Sequence, residues 1–185
     1  MPYKTTMKLP SRAIILIALA GLASVALSVD WPKIVTSKTL YADNDYRGKK
    51  APDFFVQKWL NANEVDTRGK VVVVDFWATW CPPCRATIPE LNEIAKKFKD
   101  KVVVIGISDE KEETVADFMK KTEMDYNVGI DPTRKMSKQI GVKGIPHVLV
   151  ISPDGIVRWQ GFPLDNSDRL TDAVIQQVVD QSAAK

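Results

Sequence analysis

The run KVVVVDFWA, residues 70–78, is β-branched and apolar with one acid inside it, and it predicts a central parallel strand buried on both faces. From Cys84 to Phe98 the period changes. Ile88, Leu91, Ile94, Ala95 and Phe98 recur at helical spacing. A second buried strand follows at 101–108, then an amphipathic helix at 110–122 and a short strand at 126–130. Asp131-Pro132 is expected to open a helix that Gly141 closes. Residues 147–161 read as a hairpin around a Ser-Pro-Asp-Gly turn. Leu170, Val174, Ile175, Val178 and Val179 form one face of a last helix, with Ser167 as its expected N-cap. The order β-α-β-α-β-α-β-β-α predicts an α/β fold with a mixed central sheet between helices.

Ahead of these elements the pattern is different. Residues 13–29, AIILIALAGLASVALSV, carry no charge and follow Lys4, Lys8 and Arg12. A basic stretch before such a run reads as an export signal or an N-terminal membrane anchor, and either places the rest outside the cytoplasm. Small-x-small triplets at 24–26 and 26–28 suit cleavage, whereas the length of the run suits a membrane span. Residues 30–50 are polar and aperiodic and are expected to be a linker, with the domain occupying 51–185.

Composition narrows the function classes. A chain of 185 residues with 45% hydrophobic and 26% charged residues can build one domain with a core. A net charge of +3, part of it at the extreme N-terminus, gives no basic stripe, so nucleic acid is not an expected partner.

The two cysteines, Cys81 and Cys84, stand three positions apart in WCPPC. A bridge between them closes almost no loop and adds little stability, so the pair is kept for its chemistry. At a strand-to-helix junction Cys81 meets unpaired N–H groups and the positive end of the helix dipole, which favour the nucleophilic thiolate. Cys84, one turn on, can attack a mixed disulfide formed on Cys81. Pro82 and Pro83 suit a first helical turn, where no N–H is needed. A structural zinc site needs four ligands, and the chain offers two cysteines and one histidine. Arg85 stands where covalent haem attachment requires histidine. A copper(I) carrier, with two thiolates and an imidazole, remains the alternative from another function class.

DFWATWCPPC resembles the active site of the thioredoxin superfamily, and residues 69–98 resemble its TlpA-like, membrane-tethered thiol-disulfide oxidoreductases. Pro89 matches the proline that kinks the active-site helix, and IGVKGIPHVLVI, residues 140–151, matches the segment carrying the family's cis-proline, here Pro146. The helix and strand at 110–130 match the insertion that separates TlpA-like proteins from plain thioredoxin. A peroxiredoxin would place threonine where this chain has Ala78. The resemblance implies a thioredoxin fold with Cys81 as nucleophile and Cys84 as resolving thiol. It also implies protein disulfides as substrates, an upstream membrane thiol donor and no organic cofactor or metal, since the dithiol itself carries the electrons. Reduction is favoured over oxidation or isomerisation.

Four positions around the thiols invite roles. Asp75 within VVVVDFW is costly to bury, which predicts an upward pKa shift and a proton shuttle for Cys84; the alternative is an edge position in solvent. In the family reading Trp80 covers the reactive sulfur, while Pro146 turns Ile145 toward it to form the substrate groove with Pro82 and Pro83. His147 is either a strand residue facing the sheet or solvent, or a partial positive charge near Cys81. Thr87 stands where some reductases of cytochrome c maturation carry glutamate, so the resemblance does not extend to that substrate.

Overall fold

The central strand β2, Val71–Trp77, is buried along almost its whole length, as its apolar run requires. It pairs in parallel with β3, Val102–Ser108, and antiparallel with β5, His147–Ile151. The computed structural model describes residues 31–34 and 36–184. Within them β1, Lys58–Trp59, β4, Asn127–Ile130, and β6, Val157–Gly161, complete a mixed six-stranded sheet in the order β1-β4-β3-β2-β5-β6. The expected signal or anchor at 13–29 lies outside the described residues. Among those described, no helix is long and apolar enough to cross a membrane.

Alternation along β2 divides the core. Val71, Val73 and Trp77 join one apolar cluster, closed by helix α1, Pro82–Lys97, and helix α4, Asp172–Ala183. Val74 and Phe76 face the other cluster, closed by the short helix α3, Lys135–Ile140, through Met136 and Ile140. Helix α2, Glu112–Met119, and strand β4 form the expected insertion, and β4 extends the parallel part of the sheet.

Three expectations are corrected. Asp131-Pro132 does not open a helix directly: Asp131 accepts from the backbone N–H groups of Thr133 and Lys135, making a turn first, and α3 begins only at Lys135. The N-cap of α4 is Thr171, whose hydroxyl accepts from Val174 N, because the Ser167 hydroxyl donates to Asp165 instead. The segment expected as a linker is bound to the domain from about residue 38. Bridges join Ala42 to Val142, Arg47 to Val157 and Lys50 to Ile156, and Lys38 and Arg47 are buried. Isolated bridges impose no repeat on the sequence, so the segment looks aperiodic while being structured.

Candidate active site

Cys81 ends the turn after β2 and is itself the N-cap of α1. Its backbone is extended, and its Sγ accepts from Cys84 N at 3.2 Å. Pro82 and Pro83 fill the first turn of the helix and leave no backbone donor there to compete. Cys81 and Cys84 are joined by a disulfide, with both residues buried and Pro82 exposed above them. The turn ahead of the pair is fixed by Glu110, whose carboxylate accepts from Thr79 N at 2.6 Å and from the Thr79 hydroxyl at 2.8 Å. Sequence patterning does not reveal Glu110, because it sits in a loop far from the cysteines in the chain.

Ile145 and Pro146 complete the approach to the sulfurs. The carbonyl oxygen of Ile145 lies 3.7 Å from Cys81 Sγ, and the Ile145–Pro146 peptide bond is cis. Trp80 is 67% exposed beside the pair. With Gly144 and Ile145 it lines a cavity of about 220 Å³ whose apolar floor includes Phe76 and Ile107 and whose rim carries Asp109, Arg134 and Lys143. Thr87, on the buried side of α1, donates its hydroxyl to Cys84 O at 2.7 Å.

Asp75 is buried on the α1 side of β2, the face it shares with Val73 and Trp77. Desolvation pushes its carboxyl up to about 8, and its Oδ1 has no hydrogen-bond partner. The solvent-edge alternative for this residue is therefore overturned. No lysine lies in β3 to pair with it; its register partner there is Gly106.

His147 is not brought to the thiols. Alternation along β5 places Val148 and Val150 on the α1 side, so His147 and Leu149 face the opposite cluster. The imidazole is buried, and its Nε2 lies 3.2 Å from Gln160 Nε2. Gln160 is fixed in turn: its Nε2 donates to Asn44 O, and its Oε1 accepts from Tyr46 N. His147 Nε2 is thus the acceptor of the pair and the ring is neutral. Burial lowers its pKa to about 4, opposed by the Leu40 backbone carbonyl and assisted by the Lys38 charge. This removes the reading of His147 as a cation beside Cys81, and it takes the imidazole away from the set a copper carrier needs. Among the described residues no group of three His, Cys, Asp or Glu is placed to hold a metal.

These features have counterparts in known proteins. The family model described as AhpC/TSA matches residues 47–160. Thiol-disulfide oxidoreductase ResA of Bacillus thuringiensis subsp. konkukian is 36% identical over 115 residues, 60% of this chain and 66% of that protein. Thiol:disulfide interchange protein DsbE of Allochromatium vinosum is 31% identical over 157 residues, 82% of each chain. A crystal structure from Chlorobium tepidum, described as a thiol:disulfide interchange protein DsbE, superimposes with a TM-score of 0.61 at 30% identity, covering 74% of this chain and 97% of that one. With a dithiol pair capping α1 on a mixed sheet of this order, the chain belongs to the AhpC/TSA family of thioredoxin-like proteins, alongside its TlpA-like thiol-disulfide oxidoreductases.

Proposed function

We propose that the protein reduces disulfides of extracytoplasmic proteins through the Cys81–Cys84 dithiol, exported or held at the outer face of the membrane by residues 13–29. The observation that carries this reading is the position of Cys81, which caps α1 with its Sγ next to the Ile145 carbonyl. A thiolate there is stabilised by the helix terminus, and a disulfide would approach it along Ile145 and Pro146.

The electrons balance in two displacements. The Cys81 thiolate attacks one sulfur of the substrate disulfide, that S–S bond breaks, and the other substrate sulfur leaves as a thiolate. Asp75 takes the Cys84 proton, and the Cys84 thiolate attacks Cys81 Sγ. The second substrate sulfur leaves, and two electrons have passed from protein to substrate. What remains is the Cys81–Cys84 disulfide. A membrane thiol donor then returns two electrons to it, and no organic cofactor or metal takes part.

Cys84→Ala tests the reading. The variant is expected to accumulate a mixed disulfide with a protein substrate on Cys81, released by dithiothreitol, and the wild-type pair is expected to equilibrate with glutathione almost wholly as the disulfide. No adduct with any protein disulfide would overturn the enzymatic reading. A pair that oxidises glutathione would reverse the direction, because about 30 mV shifts a two-electron couple tenfold.

A further inference from the structure

Tyr41 combines two properties unexpected in a tether. Its φ is 52°, in the left-handed region that a β-carbon disfavours, and it is 54% exposed. Its carbonyl oxygen accepts from Lys143 N at 2.8 Å and from Gly144 N at 3.3 Å, so this turn clamps the loop leading to Pro146. The approach is close: a β-carbon on Gly144 would lie 3.2 Å from Tyr41 Cβ. Gly144 and Ile145 of the same loop line a cavity together with Trp80, the most exposed large apolar residue described. Two exposed aromatic residues therefore neighbour the loop whose Ile145 carbonyl lies 3.7 Å from Cys81 Sγ. Arg134, at φ 58°, is the other non-glycine residue with positive φ among those described, and it lines that cavity too.

The clamp does not need the ring. It is made by the backbone carbonyl, and glycine would supply that carbonyl without the cost of a β-carbon at this φ. The ring packs edge-on against half-buried Phe162, with centroids 6.4 Å apart, and leaves the rest of its surface in water. The charges nearby are spoken for: Lys143 pairs with Asp43, and Arg134 pairs with Asp109. Beside these balanced pairs, the large apolar surface on offer to an incoming chain is that of the Tyr41 and Trp80 rings.

We propose that Tyr41 is a substrate-positioning residue, packing its ring against an extended polypeptide segment that carries an apolar side chain beside its disulfide cysteine. The proposal rests on the oxidoreductase reading of Cys81 and Cys84. A segment that delivers a sulfur to Cys81 past Ile145 passes the loop that Tyr41 holds. A small disulfide has no flanking chain to lay against the Tyr41 ring. The residue is thus a device for protein substrates, contributed by a part of the chain ahead of the first strand.

Tyr41→Gly in the otherwise intact chain tests this, with insulin as the protein disulfide and oxidised glutathione as the small one. The ratio of kcat/KM for insulin to kcat/KM for oxidised glutathione is expected to fall about tenfold, mainly through KM for insulin. The melting temperature is expected to change little, because relief of the left-handed turn offsets the lost contact with Phe162. Tyr41→Phe should keep the wild-type ratio, and Tyr41→Asn, which tolerates this φ, should lose it. An unchanged ratio in Tyr41→Gly, or an equal loss on both disulfides, overturns the proposal. A wild-type protein that reduces neither disulfide overturns the oxidoreductase reading beneath it, a separate and recognisable result.

Discussion

Asp75 and Gly106 are register partners on the parallel strands β2 and β3, and the space over Gly106 is taken by its neighbours. A β-carbon on Gly106 would lie 2.9 Å from Trp77 Nε1 and 3.0 Å from Tyr126 Cε2. Asp75 Oδ1, Trp77 Nε1 and the Tyr126 hydroxyl are all buried without a hydrogen-bond partner. Three unsatisfied polar atoms around one glycine is a costly arrangement, of the kind kept where a group must change protonation state. Burial, and then the charge of Asp75, raise the Tyr126 pKa well above the usual phenol value.

A carboxyl titrating near 8 becomes a better base as pH rises through neutrality. Resolution of a mixed disulfide on Cys81 should therefore accelerate up to about pH 8 and then level. Asp75→Asn is expected to slow resolution about 100-fold at pH 8, the usual worth of a positioned base, and to push the profile toward the range of an unassisted thiol. Single-turnover release of an aromatic thiol from Cys81 measures this. A superimposable profile would remove Asp75 from proton transfer.

The Tyr126 hydroxyl gives a stability prediction of opposite sense to most core substitutions. Removing an unsatisfied buried hydroxyl while keeping the ring relieves desolvation without opening a cavity. Tyr126→Phe should be neutral or stabilise the fold by up to about 1 kcal/mol. Urea unfolding with an unchanged m-value checks it, and a loss of more than about 1 kcal/mol would mean that the hydroxyl holds a partner.

Much of the scaffold was legible because single residues decide it. The apolar run at β2 forces two-sided burial, and Gly141 closes α3 with φ 70°, as its position implied. What sequence left open were choices between equivalent local options. Ser167 and Thr171 are both good caps, and only the Asp165 carboxylate decides between them. His147 was compatible with either face until Val148 and Val150 were fixed against α1. The contacts of residues 38–50 were invisible because each is a lone long-range bridge or a single buried side chain, with no period to read.

One of those contacts yields an asymmetric prediction. Lys38 is fully buried, pairs with Asp168, and sits 3.9 Å from the centre of the Trp159 ring. Removing Asp168 strands a buried cation, so Asp168→Ala should cost about 3 kcal/mol. Replacing Lys38 with methionine keeps the volume and the ring contact and removes the buried cation, and the carboxylate left behind is 13% exposed and can take up water, so Lys38→Met should cost less than Asp168→Ala. Thermal unfolding of the two variants checks this, with equal losses contradicting it. Limited proteolysis should also release residues 31–50 earlier in Asp168→Ala.

Asp75 and His147, on adjacent strands but opposite faces, set opposing pH dependences of stability. Asp75 has its folded-state pKa, about 8, above the ordinary 3.8. Its contribution is complete below pH 3.8 and is lost as pH rises toward 8. His147 has its folded-state pKa, about 4, below the ordinary 6.5. Its contribution is complete above pH 6.5 and is lost as pH falls toward 4. Between pH 4 and 6.5 the folded state therefore holds one extra proton at Asp75 and lacks one at His147, and the two slopes cancel. From pH 6.5 to 8 Asp75 acts alone, and stability should fall by up to about 1.4 kcal/mol per pH unit. Wild type should be flat and then falling, whereas His147→Gln should fall throughout pH 4 to 8. Asp75→Asn should rise from pH 4 to 6.5 and then level. Urea unfolding at half-unit steps of pH distinguishes these three shapes, and parallel curves for all three proteins would show that neither group is buried in the state inferred for it.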